Sequence, residues 1–558
     1  MPVQAIPYLL YADLNSSIPA NSDEFQALLQ TLPRNGMLRV CSAINAVIAG
    51  WNRKHDFQAQ KPLISAFLQP AWAEKAILLE RPVFHRHQLL FTAKEALKYC
   101  RAAEETLTPR LFHVGKALLM ASDQLNSGIP KTSSALDQVA AIIHSFVPVM
   151  EANRHSNYVN TIARGYFMNT DFIEPLRDNP DFVDAPRVFE NSTGIPLEHY
   201  FAMLFGCLSR FADTDIKNFD KLLIPSTWFR TTKIPTSQVD AFYKETAATP
   251  EELRSNAMAA DAAREDFVIF QDKPLIQDSN GCFPMDMTYL ADKFYNGPFW
   301  RVNFALPSDD RESFHRFWGH VFEHYLNWLF AQSCKGKANW FLQDPRYAAD
   351  PSEQVCDGLI VCDRQALLIE YKGSTFRSTS KYGTGIDAIK NELEQKLVTS
   401  DDNPKKGVRQ LASAVERLCR YENPESIQGV DLSGITTIFP VMIIRDEIGS
   451  ALGMNAYLNE RFQSYKAKRL WRSVTPLFCL SVDDIETLTG YLRDVSLAAL
   501  LSSWYKKDKR LVGSFWFVEN DLIKKAGLRK PPFVKTALER IGQNAASILG
   551  LKPPEELK

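Results

Sequence analysis

Between Gln354 and Gly373 two short apolar runs, Leu359-Ile360-Val361 and Ala366-Leu367-Leu368-Ile369, are separated only by Cys362 and the polar Asp363-Arg364-Gln365, and this stretch restricts the fold more tightly than any other. Each run is long enough for a buried strand, and the polar tripeptide is short enough for a hairpin turn. Two adjacent antiparallel strands follow. Side chains alternate between faces along a strand, so Glu370 and Lys372 share one face and Tyr371 takes the other. A hairpin also brings its two ends together, which sets Asp357, at the start of the first strand, opposite them. A carboxylate, a second carboxylate and an ammonium therefore converge at one edge of a sheet.

Hydrolysis of a phosphodiester needs charge neutralisation on the phosphate and a deprotonated water. Two carboxylates that hold a hard divalent cation supply both. Mg²⁺ is the implied ion, with Mn²⁺ as a substitute. Beside it, Lys372 would orient or deprotonate the attacking water, or hold the charge that develops on the phosphoryl group. The bland alternative is that Glu370 and Lys372 form an ordinary ion pair at a half-exposed strand end. The context argues for the site: both residues directly continue an apolar run, Gly373 follows, and the preceding run carries its own Asp.

Asp357, Glu370 and Lys372 resemble the signature of the PD-(D/E)xK nuclease superfamily, which includes many restriction endonucleases. That resemblance implies a restriction-endonuclease-like mixed-sheet domain of the α+β or α/β class, whose core is a helix, three strands, a helix and a further strand. The flanks can be laid onto this order. Glu312–Phe330 has Phe314, Phe317, Trp318, Val321, Phe322, Tyr325, Leu326 and Leu329 at helical spacing and is the candidate first helix. By the resemblance Glu323 on that helix reaches the metal; as a plain helix residue it faces solvent. Gly407–Leu418 reads as the second helix, and Gln410 resembles the helix Gln of several branches, although Ala414 stands where the RecB type has Tyr. Ile435–Ile444 is the next central strand, with a bulge or strand start expected at Pro440 because proline donates no ladder bond. Leu477–Val482 and Asp483–Leu492 read as one more strand and helix, with Asp483 as cap. The resemblance further implies that Asp357 and Glu370 are the metal ligands, with the Ile369 carbonyl, or the backbone near Glu370, as an extra one.

Residues 374 to 406 insert between the catalytic strand and the second helix. Arg377, Lys381, Lys390, Lys405 and Lys406 make this insertion basic, and Gly383-Thr384-Gly385 suggests flexibility, so it is either a clamp on a nucleic-acid backbone or a mobile surface loop. A net charge of −1 leaves any nucleic-acid affinity to local patches. Two are visible. Residues 501 to 558 carry twelve Lys or Arg against six Asp or Glu, with Tyr505, Phe515, Trp516 and Phe533 interleaved, and Lys466-Ala-Lys-Arg-Leu-Trp-Arg472 precedes the last strand. Each reads either as a nucleic-acid surface or as a docked segment with a basic outer face.

A chain of 558 residues exceeds one core, so further domains are expected. Residues 1–262 read as a mainly helical domain that senses, positions or regulates, 263–500 as the nuclease-like domain, and 501–558 as the basic and aromatic C-terminal segment. Phe267–Phe270 and Pro274–Gln277 read as short strands leading into the second of these. Nine cysteines without a Cys-x-x-Cys pair fit reduced core thiols and argue against a zinc site. No apolar run approaches the roughly 20 residues of a membrane span, and the start of the chain lacks a signal-peptide pattern, so a cytoplasmic location and no membrane partner are expected. The whole reading is a Mg²⁺-dependent nuclease, an enzyme acting on DNA rather than RNA. The setting that the resemblance implies is restriction or anti-phage defence, with a homo-oligomer or a defence protein as partner. The alternative is a catalytically inactive nuclease-fold protein that binds nucleic acid or serves assembly.

Overall fold

The computed structural model describes residues 8–48, 57–102, 109–125, 129–130, 132, 134–153, 158–212, 222–259, 263–336, 338–399 and 406–550. Lys405, the start of the chain, residue 262 and the end of the 501–558 segment lie outside the described residues. The protein is mixed α+β, with mainly helical N-terminal and C-terminal portions around a six-stranded sheet and a smaller three-stranded one.

The large sheet contains β1 (Trp340–Gln343), β2 (Gly358–Cys362), β3 (Gln365–Lys372), β4 (Thr437–Ile444), β5 (Ser473–Val474) and β6 (Phe478–Ser481). Its order is β1-β2-β3-β4, and β5 and β6 follow one another along the far edge of β4. The pairs β1–β2 and β2–β3 are antiparallel, whereas β4 is parallel to β3 and to both short strands. The two-residue β2–β3 turn places Asp363 at φ +52, a left-handed conformation that Asp tolerates.

Pro440 lies within continuous β4, opposite Leu368, with neither a bulge nor a strand start. The reason is position. Thr475 N–H donates to the Ile438 carbonyl, so the even-numbered backbone groups of β4 face the outer edge, and Pro440 falls where that edge passes from β5 to β6. Its missing N–H forfeits no ladder bond there.

Both faces of the sheet are covered, which explains why its central strands are apolar at nearly every position. Helix α1 (Arg311–Ser333) packs on the face of Ile369, Tyr371, Val441 and Ile443, its Asn327 Oδ1 accepting the Tyr371 hydroxyl at 3.1 Å. Helices α2 (Val408–Cys419) and α3 (Met454–Tyr465) cover the opposite face, where Leu411, Val415 and Leu458 meet Leu368, Met442 and Ile444. Glu370 and Lys372 continue that second face. Helix α4 (Val482–Leu488) is capped not by Asp483 but by Ser481, whose Oγ accepts the Asp484 N–H at 3.2 Å while Asp484 Oδ2 accepts the Ser481 N–H at 2.7 Å. Asp483 instead binds Arg164 at 2.7 Å.

The N-terminal helices divide between two cores. Arg34–Ile48, Arg86–Tyr99 and Leu111–Leu125 share a core with Ile276, Phe283 and Tyr289. Tyr158–Thr170 and Leu197–Ala212 belong to the same apolar cluster as α1, the sheet and the C-terminal helix Pro532–Leu549. The expected line near residue 262 therefore separates no two cores. Phe533, Val534 and Ile541 are buried in that cluster, so this part of the 501–558 segment is docked with its aromatic side inward. Residues 267–270, expected as a strand, open the helix Val268–Asp272, whereas Leu275–Asp278 is a strand as read.

The insertion after β3 is built, not loose. It forms Ser378–Tyr382 and Asp387–Leu393, the latter continued by a π turn over Glu394–Val398. Lys381 is buried between Glu151 and Asp446, 2.7 Å from each, and Lys390 pairs with Asp137. Those two charges hold the insertion to the helix Ala135–Asn153 and to the end of β4, and so are not offered to a ligand. The nine cysteines are buried and unpaired.

Candidate active site

The register of the sheet builds the site. Gly358 lies opposite Ile369, and Asp357 N–H also donates to the Ile369 carbonyl, so Asp357 and Gly358 bulge against that one residue and bring Asp357 to the end of β3; Gln343 lies opposite Gly358, which puts Asp344 opposite Asp357. Three carboxylates thus form a row across the ends of three neighbouring strands. Backbone bonds fix the row: Asp344 N–H donates to the Asp357 carbonyl at 3.1 Å, and Asp357 N–H donates to the Ile369 carbonyl at 3.0 Å. The Asp357 carboxylate accepts the Tyr371 N–H at 2.5 Å and the Gln354 amide at 3.3 Å, so its orientation is set by the strand it faces.

Glu370 and Lys372 stand on the α2 face, with side chains 3 % and 8 % exposed, and Lys372 Nζ donates to Glu370 Oε1 at 2.6 Å. The other oxygen, Glu370 Oε2, is buried without a hydrogen-bond partner among the described residues. Such an atom costs free energy unless something binds it. Burial pushes the Glu370 carboxyl up to about 7; Lys372 opposes that shift and Asp357 adds to it. Asp357 is also raised, by burial first, against the pull of Lys372. Like charges gathered out of water favour protonation of some of them.

Glu323 projects from α1 towards the same row. Its side chain is a third exposed, yet partial burial and the charges of Asp357 and Asp344 push its carboxyl up to about 7. The close approach that allows this is at Gly373, where an added Cβ would lie 3.2 Å from the Gly319 Cα of α1. Gln410, half-buried on α2, makes no hydrogen bond with a described residue and shares the sheet face of Glu370 through its helix, whose Leu411 and Val415 pack there.

The Ile369 carbonyl belongs to the ladder with Asp357 and is not the free ligand expected of it. Carbonyls two apart in a strand turn the same way. The next one turned towards Asp357 is that of Tyr371.

Two groups near the row were missed. Asp344 follows a strand of only four residues with a half-exposed pattern, too short to read by periodicity; its sole signal is the turn-like Asp344-Pro345 pair. It adopts φ +49, its Oδ2 accepts from Arg346 Nε at 3.0 Å, and its Oδ1 is buried without a partner. Lys406, read only as part of a basic insertion, lies near the Lys372–Glu370 pair: partial burial and then Lys372 hold its ammonium below the usual lysine range.

These donors are hard oxygens, one of them an orphaned buried carboxylate atom, and they fit a Mg²⁺-type ion. Among the described residues no three His, Cys, Asp or Glu side chains stand as a ready metal cage. One or two carboxylates, completed by water and substrate phosphate, are what Mg²⁺ commonly takes from a protein. No family model, curated protein or solved structure matches the chain. No helix among the described residues is long and apolar enough to cross a membrane.

Proposed function

We propose that this protein is a Mg²⁺-dependent nuclease that hydrolyses phosphodiester bonds, of DNA in preference to RNA, with a restriction-endonuclease-like site on the β2–β3 hairpin. The observation that carries the reading is the gathering of Asp357, Glu370 and Lys372 at one end of the β2–β3 hairpin, with Glu370 Oε2 buried and without a partner among the described residues. Asp357 and Glu370 are the residues that would hold the metal, and Glu323 is placed to assist them. When bound, the ion neutralises phosphate charge and activates a water.

The residues of the chain have separate tasks. Asp357 is held by the Tyr371 N–H, so its free lone pairs keep one direction. Lys372 Nζ, now donating to Glu370 Oε1, supplies a positive group beside the row that can hold charge developing on a phosphoryl oxygen or orient water. Lys406 brings a second cation to the same end of the sheet. Restriction or anti-phage defence is the setting implied by the resemblance, with the helical N-terminal region in a regulatory role.

One observation favours a second reading. Glu370 and Lys372 are nearly as buried as a core ion pair. A catalytically inactive protein that keeps this sheet for nucleic-acid binding or assembly would be expected to look the same. Labelled single- and double-stranded DNA and RNA, incubated with the purified protein in Mg²⁺ or Mn²⁺, separate the two. Cleavage abolished by chelator and by Asp357→Ala, Glu370→Ala and Lys372→Ala supports the nuclease. Absence of cleavage together with absence of Mn²⁺ binding supports the inactive fold.

A further inference from the structure

The outer side of α2 carries a row of cations and exposed rings that leads away from the candidate active site. Arg409 and Arg420, the residue that caps the end of α2, are eleven residues apart, about three helical turns, and so start from one side of the helix; both are exposed, and Arg420 pairs with Glu425 at 3.1 Å. At the first end the Arg409 guanidinium stands 5.7 Å from the centroid of Tyr465, the last residue of α3. At the other end Trp471 N–H donates to the Cys419 carbonyl at 2.9 Å, which anchors Trp471 beside the end of α2, two residues before Tyr421. The segment between Tyr465 and Trp471 must therefore run alongside the helix, and it contributes exposed Lys468 and Arg469.

The rings are unusually open for a folded chain. Tyr421 is 68 % exposed, Trp471 41 % and Tyr465 36 %. Arg472, in contrast, is a structural residue, its guanidinium donating to the carbonyls of Leu418, Leu432 and Ile435. Glu416 is an exposed acid on the stripe, Glu422 stands beside Tyr421 and Glu425 pairs with Arg420, so the basic character of the row comes from Arg409, Lys468 and Arg469. At the N-terminal end of α2, Gly407 joins the helix to Lys406, whose ammonium lies in the field of Lys372 and Glu370.

Exposed rings, two of them backed by a guanidinium (Arg409 over Tyr465 at 5.7 Å and Arg472 over Trp471 at 4.0 Å), interleaved with cations suit a ligand that is a polyanion and also offers unpaired π-faces. Only single-stranded nucleic acid has both along its length. A duplex hides its bases, and a protein partner would have no need of alternating charge and ring. We propose that the row from Tyr465 and Arg409 to Trp471 and Tyr421 is a binding track for single-stranded nucleic acid, which guides a strand towards the Lys406 end of α2. The proposal rests on the nuclease reading only for what happens at that end.

The test is fluorescence anisotropy of a fluorescein-labelled single-stranded oligothymidine with the full-length protein in chelator, where cleavage plays no part. Binding should weaken about five- to one-hundredfold in Tyr421→Ala/Trp471→Ala, and Tyr421→Phe should retain it, because stacking needs the ring and not the hydroxyl. Lys468→Ala/Arg469→Ala should lower the slope of log affinity against log salt by about 1.4, at roughly 0.7 per phosphate contact. Circular dichroism of each variant identifies any that fail to fold; these exposed sites are expected to tolerate alanine. Wild-type binding that is absent, preference for duplex, or affinity unchanged in the ring variants overturns the track. Track-dependent binding without metal-dependent cleavage leaves it standing and removes the nuclease reading instead.

Discussion

Glu370 shares one carboxylate oxygen with Lys372, 2.6 Å away, and keeps the other buried with no partner among the described residues. An acid so placed is poised between two states. Protonated, it is tolerated by its surroundings; ionised, it asks for a second cation.

The first consequence is a pH dependence of metal use. Ligand carboxylates must be deprotonated to bind a cation. With Glu370 and Glu323 both raised to about 7, Mn²⁺ affinity and cleavage should climb from about pH 6 to about pH 8 and then level off. Calorimetric titration of Mn²⁺ across that range measures it. A flat profile would remove both residues from the metal site.

Without metal the same shift should act on stability in the opposite sense. An acid whose folded pKa lies above its ordinary value binds its proton more tightly in the folded chain. The stabilisation is full below about 4.5 and is lost as pH rises through about 7. In chelator the urea midpoint should therefore fall over that window, at about 1 kcal/mol per pH unit at most from Glu370. Glu370→Gln should flatten the slope, and an unchanged slope would assign it to other groups.

Much of this site was legible because its order is local. The hairpin and the shared face of Glu370 and Lys372 follow from a period of two over fewer than twenty residues, and α1 and α2 follow from helical spacing; Asp357 reaches the same end of the sheet through a break in the ladder, its N–H donating to the Ile369 carbonyl, which a period of two does not show. What escaped depends on tertiary partners. Asp344 gains meaning only from pairing of β1 with β2, and Ser481 displaced Asp483 as a cap because Arg164, far away in sequence, takes Asp483. Lys381 looked like a mobile surface cation, but its two buried acids come from residues 151 and 446. The line near residue 262 coincides with no division between buried clusters, because Tyr158–Thr170 and Leu197–Ala212 share one cluster with the large sheet and the C-terminal helix.

The Glu151–Lys381–Asp446 bridge should be a major stabilising contact. Asp446 also accepts the Phe376 N–H at 2.8 Å, and the neighbouring Arg445 N–H donates to the Lys372 carbonyl at 2.9 Å, so the bridge ties the helix Ala135–Asn153 to the end of β3. Lys381→Met leaves two buried carboxylates without their cation and should cost about 3–5 kcal/mol in urea unfolding. A loss below about 1 kcal/mol, the worth of a surface pair, would mean that the bridge is solvated.

Gly407 is the joint between the insertion and α2. It adopts φ +63, and an added Cβ would sit 2.0 Å from the Leu397 carbonyl oxygen, a backbone atom that cannot swing aside. Gly407→Ala therefore meets both left-handed strain and a clash, together worth about 2 kcal/mol or more. The damage should also be directional. Relief of the clash requires α2 to shift away from Leu397, carrying Lys406 and Gln410 with it, so cleavage should fall more than unfolding stability alone explains. Assayed well below its unfolding midpoint, Gly407→Ala should lose at least about tenfold in rate if those two residues serve the site. Wild-type rates in a folded variant would show that the position of α2 matters to the core and not to the chemistry.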